Sequence, residues 1–171
     1  MVRVEEVSKV YRGRGGAVEA LRGVSLEFSE GSFTALVGRS GCGKTTLLRL
    51  IAGLERESGG RIVRSVPRRQ VGYVFQEPRL MPWLSVAENV RFAARAGGPA
   101  GDFGDADEIL RTLGLADFAR CLPHELSGGM AQRVALGRTL YCRPRLILMD
   151  EPFGAPTTRS EERRVGKECR S

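Results

Sequence analysis

The chain has 171 residues, is 42% hydrophobic, and carries 27 Lys and Arg against 20 Asp and Glu, a formal charge of +7. That size and composition suit one domain with a moderate core, and no apolar run reaches membrane-spanning length. Met1-Val2-Arg3-Val4-Glu5 opens without the apolar stretch of a secretion signal, so the chain is expected in the cytosol; basic residues interspersed with acidic ones argue against a nucleic-acid partner.

Val2 to Tyr11 alternates apolar and polar residues, as does Leu21 to Phe28, which predicts two strands around a glycine-rich turn at Gly13 to Gly16. Glu30-Gly31 turns the chain into a short apolar strand, Phe33 to Val37. Gly38-Arg39-Ser40-Gly41-Cys42-Gly43-Lys44-Thr45-Thr46 follows, after which Leu47, Leu48, Leu50, Ile51 and Leu54 recur at helical spacing with Gly53 as a left-handed cap. Ser58-Gly59-Gly60 reads as a turn, Arg61 to Val63 as a short strand, and Val71 to Phe75 as another that ends at Gln76. The irregular segment Leu80 to Ser85 leads into a helix from Val86 to Ala96, broken at Gly97 to Gly101. Asp105 to Leu113 predicts a short helix closed by Gly114, and Ser127 caps a helix from Gly128 to Tyr141. Leu146 to Met149 is apolar throughout, as expected of a parallel strand covered on both faces.

Strand, glycine loop and helix in that order are the context of a loop that cradles phosphate. Gly38, Gly41 and Gly43 allow successive backbone N–H groups to converge on phosphate oxygens. Lys44 is placed to reach the β- and γ-phosphates, the Thr45 hydroxyl to coordinate Mg²⁺, and the following helix to present its free N–H groups and positive dipole end. Asp150 and Glu151 directly follow the last strand. Joined to the loop, Asp150 is expected to hold Mg²⁺ through water and Glu151 to polarise an attacking water. Ser127-Gly128-Gly129 leaves donors uncovered at another helix N-terminus, a second phosphate surface that one nucleotide does not need from the same chain. Cys42, Cys121, Cys142 and Cys169 lack metal-ligand spacing, and His124, the only histidine, is read as a surface residue.

The order of these motifs resembles the ATP-binding subunit of an ABC transporter. Gly38 to Thr46 resembles the Walker A loop, Gln76 the Q-loop glutamine, Leu126-Ser127-Gly128-Gly129-Met130 the family signature, and Leu146 to Glu151 the Walker B strand with its catalytic glutamate. The resemblance implies an α/β fold: a P-loop NTPase core of the ABC type with antiparallel N-terminal strands and a helical subdomain at about 80–141. It implies ATP and Mg²⁺ as cofactors, Tyr11 stacking on adenine, and Gln76 sensing Mg²⁺ and the γ-phosphate. It also implies a head-to-tail dimer with a second ATP-binding subunit, in which Ser127, Gly128 and Gly129 close on the ATP held by the partner. The chain would sit peripherally at the cytoplasmic side of the inner or plasma membrane, with transmembrane permease subunits as partners and a periplasmic or extracellular solute-binding protein acting indirectly. Gln76 to Val90 and Pro152-Phe153-Gly154-Ala155 resemble importers of nitrate, sulfonate, taurine and similar small anions, although importers of pyrimidine precursors or polyamines share much of the pattern. A soluble ABC-type ATPase acting on ribosomes or DNA, and a non-catalytic nucleotide-binding module, are the alternatives.

After Ala155 the family pattern continues with leucine and aspartate, whereas this chain has Pro156 and Thr157. Thr158 to Ser171 has Val165 alone among charged and small polar residues, which predicts disorder, and Arg159 to Arg170 resembles the in-frame translation of a common short-read sequencing adapter. The expectation is a partial domain at 1–157 and a non-native tail at 158–171, without the family's D-loop aspartate, its switch histidine and the strand between the Walker A and Walker B strands. His124 precedes the signature and cannot serve as that histidine. Such a chain is expected to leave a gap or a non-family pairing in its sheet, to be poorly stable and to hydrolyse little ATP.

Overall fold

A computed structural model describes residues 1–95 and 103–151. Alternation in the first two strands becomes a hairpin: β1 (Val2–Gly13) pairs antiparallel with β2 (Gly16–Phe28), closing at Gly13 opposite Gly16. Val2, Val4 and Val7 of β1 are buried, on the order of 2 kcal/mol of stabilisation each. β3 (Gly59–Arg64) covers the other edge of β1, giving the order β2-β1-β3. Of the turn expected at Ser58 to Gly60, Ser58 bends while Gly59 and Gly60 already belong to this strand. Gly60 adopts φ 76°, and a Cβ there would lie 2.3 Å from the Glu6 carbonyl, so the glycine answers a register shift in β1 rather than a reversal of the chain.

α1 (Lys44–Ala52) buries Leu47, Leu50 and Ile51 against this sheet and stops at Gly53, as the spacing predicts. β4 (Val71–Val74) and β5 (Leu146–Met149) form a separate two-stranded parallel sheet, with Val71 opposite Leu146 and Val74 opposite Met149. The strand expected at Phe33 to Val37 is absent: this segment joins neither sheet, and Phe33 and Val37 are 96% and 94% exposed. Apolar β-prone residues define a strand only when a neighbouring backbone completes the ladder, and none of the described strands reaches these residues. A cleft of about 730 Å³ runs between residues 28–36 and β5, lined by Phe28, Leu36, Leu48, Leu146 and Leu148. For the same reason β5 is not covered on both faces; Leu148 is its one buried residue.

The helices form a second core. Val86 and Val90 of α2 (Val86–Val90), Ala106 and Leu110 of α4 (Ala106–Thr112), Leu115, and Val134 of α5 (Gly128–Tyr141) pack together. The single helix expected from Val86 is divided at Arg91, whose guanidinium reaches Asp107 at 2.8 Å, with α3 (Phe92–Arg95) beyond it. Ala96, the break at Gly97 to Gly101, and everything after Glu151 lie outside the described residues.

Asn89 organises the irregular segment before α2. It is fully buried; its Oδ1 accepts from the Met81 N–H at 2.8 Å, and its Nδ2 donates to the carbonyls of Met81, Leu84 and Ser85. Asn89→Ala strands buried backbone groups and is expected to cost about 3 kcal/mol. Fluorescence of Trp83, the only tryptophan, checks this: it should report loosening of Met81 to Ser85 at lower denaturant than in the parent.

Candidate functional site

The loop from Gly38 to Thr46 is shaped by β2 beneath it and by its own lysine. Gly43, the N-cap of α1, has φ 94°, and a Cβ there would lie 2.5 Å from the Ala20 carbonyl and 2.8 Å from Leu21 Cδ2. Lys44 Nζ folds back to donate to the carbonyls of Gly38 at 2.7 Å and Arg39 at 3.0 Å, with Cys42 Sγ at 3.8 Å. Arg39, Ser40, Gly41 and Cys42 are exposed. No side chain caps α1 and no acid occupies its first turn; its ladder opens with the Leu47 N–H to the Gly43 carbonyl at 2.9 Å. The donors of Lys44, Thr45 and Thr46 therefore stand outside that ladder, beside the positive end of the helix dipole and a lysine ammonium, a site suited to a polyanion.

Pairing of β5 with β4 brings Asp150 to this helix. The Asp150 N–H bonds the Val74 carbonyl at 3.0 Å, and the carboxylate, 5% exposed, is held at both oxygens: Thr45 Oγ1 donates to Oδ1 at 2.7 Å and the Tyr73 hydroxyl to Oδ2 at 3.2 Å. Burial, then the Asp150 charge and hydrogen bond, push the Tyr73 hydroxyl up to about 12, which keeps it a donor at neutral pH. A threonine hydroxyl beside one carboxylate fits Mg²⁺, which takes one or two hard oxygen ligands from protein and the rest from water and phosphate. Among the described residues no cluster of three His, Cys, Asp or Glu offers an alternative metal cage. Glu151, next in the chain, has a left-handed φ of 48° and accepts from Gln76 Nε2 at 2.8 Å.

Tyr11 lies near the other end of the loop. Its hydroxyl donates to Glu55 at 2.6 Å and sits 3.4 Å from Thr46 Oγ1, while Lys9 stands 5.0 Å over the ring. Burial opposes the charge of Glu55, yet hydrogen bonds from Tyr11 and Lys9 and the charges of Lys9 and Arg49 hold its carboxyl below the usual range. Burial and Glu55 raise the Tyr11 hydroxyl in turn.

Ser127 caps α5 as expected, its Oγ accepting from the Met130 N–H at 3.3 Å, and Gly128 and Gly129 are exposed. No hydrogen bond among the described residues joins these three to the Gly38 to Thr46 loop. α5 instead holds the chain around Gln76: Gln132 Nε2 donates to the Phe75 carbonyl at 2.9 Å, and Arg138 to those of Pro78 and Arg79. His124 is exposed on a single 3₁₀ turn. Sequence reasoning missed Tyr73, Glu55, Gln132 and Arg138, whose targets are far along the chain and leave no local spacing to read. Only Tyr73, three residues before Gln76 on the strand paired with Leu146 to Met149, could have been placed near Asp150 by register.

A family model described as ABC transporter matches residues 21–154. The aliphatic sulfonates import ATP-binding protein SsuB 1 of Xanthomonas axonopodis pv. citri (strain 306) is 50% identical over 151 residues, 83% of this chain and 60% of that protein. The nitrate import ATP-binding protein NrtD of Synechocystis sp. (strain ATCC 27184 / PCC 6803 / Kazusa) is 41% identical over 171 residues, 95% of this chain and 64% of that protein. This chain therefore spans about three-fifths of the length of these relatives. Among solved structures, the dimeric bacterial ABC transporter cassette MJ0796 superimposes with a TM-score of 0.81 at 32% identity, covering 95% of this chain and 78% of that one. A post-hydrolysis dimer of the same cassette, bound to ADP and Pi, gives 0.80.

Proposed function

Because this chain belongs to the ABC transporter family, we propose that it is the nucleotide-binding part of an ATPase subunit that powers import of a small solute, an anion of the nitrate, sulfonate or taurine kind. One observation carries the chemistry: Thr45 and Asp150, 105 residues apart, meet at 2.7 Å beside an uncapped helix N-terminus and the ammonium of Lys44. The names of the sulfonate and nitrate relatives support the solute class.

In this reading the loop amides and Lys44 bind the ATP phosphates, Tyr11 stacks on adenine, and Thr45 and Asp150 hold Mg²⁺ with Gln76. The ion, when bound, neutralises charge on the β- and γ-phosphates. Glu151 takes the proton of the attacking water; Gln76, already bonded to it, couples that position to the helical part of the chain through Phe75 and Gln132. Ser127, Gly128 and Gly129 serve the nucleotide of a second subunit in a head-to-tail dimer, for which dimeric MJ0796 is the precedent. Permease subunits supply the pathway and a solute-binding protein delivers the solute, a reading that the names of the import relatives support; no helix among the described residues is long and apolar enough to cross a membrane. The subunit acts peripherally at the cytoplasmic face. The separate core of α2, α4 and α5 supports a helical subdomain at about 80–141 within a domain at 1–157, and the sequence of 158–171 alone is the ground for reading a non-native tail there. Exposed Phe33 and Val37 and the open cleft along β5 support low stability and low turnover for the 171-residue chain alone.

Deleting the gene tests the assignment. Loss of uptake of nitrate, a sulfonate or taurine, with permease and solute-binding genes adjacent, is the expected result. Unimpaired uptake of all three, with ribosomal or DNA-maintenance genes as neighbours, favours the soluble ATPase.

A further inference from the structure

We propose that Tyr73 is a positioning residue for the metal-binding carboxylate, an inference that rests on the Mg²⁺-nucleotide reading above. A carboxylate at the end of a strand can rotate about its Cα–Cβ and Cβ–Cγ bonds, and it presents a fixed oxygen to a cation only if its other oxygen is held. Here Oδ1 faces Thr45 on α1, and Oδ2 receives the Tyr73 hydroxyl from β4. Tyr73 is itself fixed. Its ring packs on Phe75 at 4.6 Å, and its strand pairs with β5 in register Tyr73 opposite Leu148. Thr45 and Tyr73, from α1 and β4, thus hold the two oxygens of Asp150 from two different elements. Phenylalanine at position 73 would pack on Phe75 equally well; only the hydroxyl serves Asp150.

The test is ATP binding by the full chain, measured in EDTA and across a Mg²⁺ titration, for the parent, Tyr73→Phe and Tyr141→Phe. Tyr141 stacks on Phe103 away from the loop and controls for loss of a phenol. Tyr73→Phe is expected to leave affinity in EDTA unchanged and to raise the Mg²⁺ concentration for half-maximal tightening about 10-fold, while Tyr141→Phe changes neither. A second readout needs no metal: losses of melting temperature from Tyr73→Phe and Asp150→Asn should be clearly non-additive in the double variant. An unchanged Mg²⁺ midpoint in Tyr73→Phe, or additive melting losses, overturns the positioning role. A parent chain whose ATP affinity ignores Mg²⁺ overturns the nucleotide reading and this inference with it.

Discussion

Glu151→Gln is expected to lower ATP turnover in the assembled transporter by a factor on the order of 10² to 10⁴ while nucleotide affinity stays within a few-fold. The amide keeps the size of the side chain and can still accept from Gln76, as the carboxylate does at 2.8 Å, but it cannot take a proton from water. The loop, Lys44, Thr45 and Asp150 are untouched, so binding and turnover should separate cleanly. Steady-state phosphate release paired with equilibrium nucleotide binding checks this. Equal loss of both would make Glu151 a binding or structural group and remove it from the chemistry.

The second large effect is expected at Gly43. An alanine there must hold φ near 94° with its Cβ 2.5 Å from the Ala20 carbonyl, and that contact is with backbone, which cannot rotate aside. Strain and displacement together should cost on the order of 3 kcal/mol and shift the first turn of α1, so melting temperature and phosphate affinity fall together. Gly129→Ala is the internal comparison: it has φ in the ordinary range and nothing within 4 Å of an added Cβ, so it should leave melting unchanged. A Gly43→Ala chain that melts and binds like the parent would show that the loop does not depend on its contact with β2.

These two positions also mark what could be read from the sequence. The hairpin of β1 and β2, helix α1 with its stop at Gly53, and the Ser127 cap are written in local alternation, helical spacing and capping chemistry, and the folded chain keeps them. The glycine loop and the acidic pair were legible because their residue types are rare in that order. Phe33 to Val37 was misread because a strand is a property of two segments: its composition is right, but none of the described strands pairs with it. Gly60 was misread for a related reason, since the carbonyls of Glu5 and Glu6, on another strand, decide its conformation. Glu55, Gln132 and Arg138 were invisible because each is defined by a contact across dozens of residues, and Tyr73 could be placed only through the register of its strand with Leu146 to Met149. Local physics located the glycine loop, and only tertiary pairing showed which groups hold Asp150 and the chain around Gln76.

The most direct measurement is an equilibrium titration of the chain with ATP, in Mg²⁺ and in EDTA, for the parent and for Lys44→Ala. Anion capture by free amides and an ammonium, completed by a cation between Thr45 and Asp150, requires Mg²⁺ to tighten ATP binding by about 10-fold or more and loss of Lys44 to weaken it about 100-fold. Affinity independent of Mg²⁺ and equal in Lys44→Ala would contradict the account at its root.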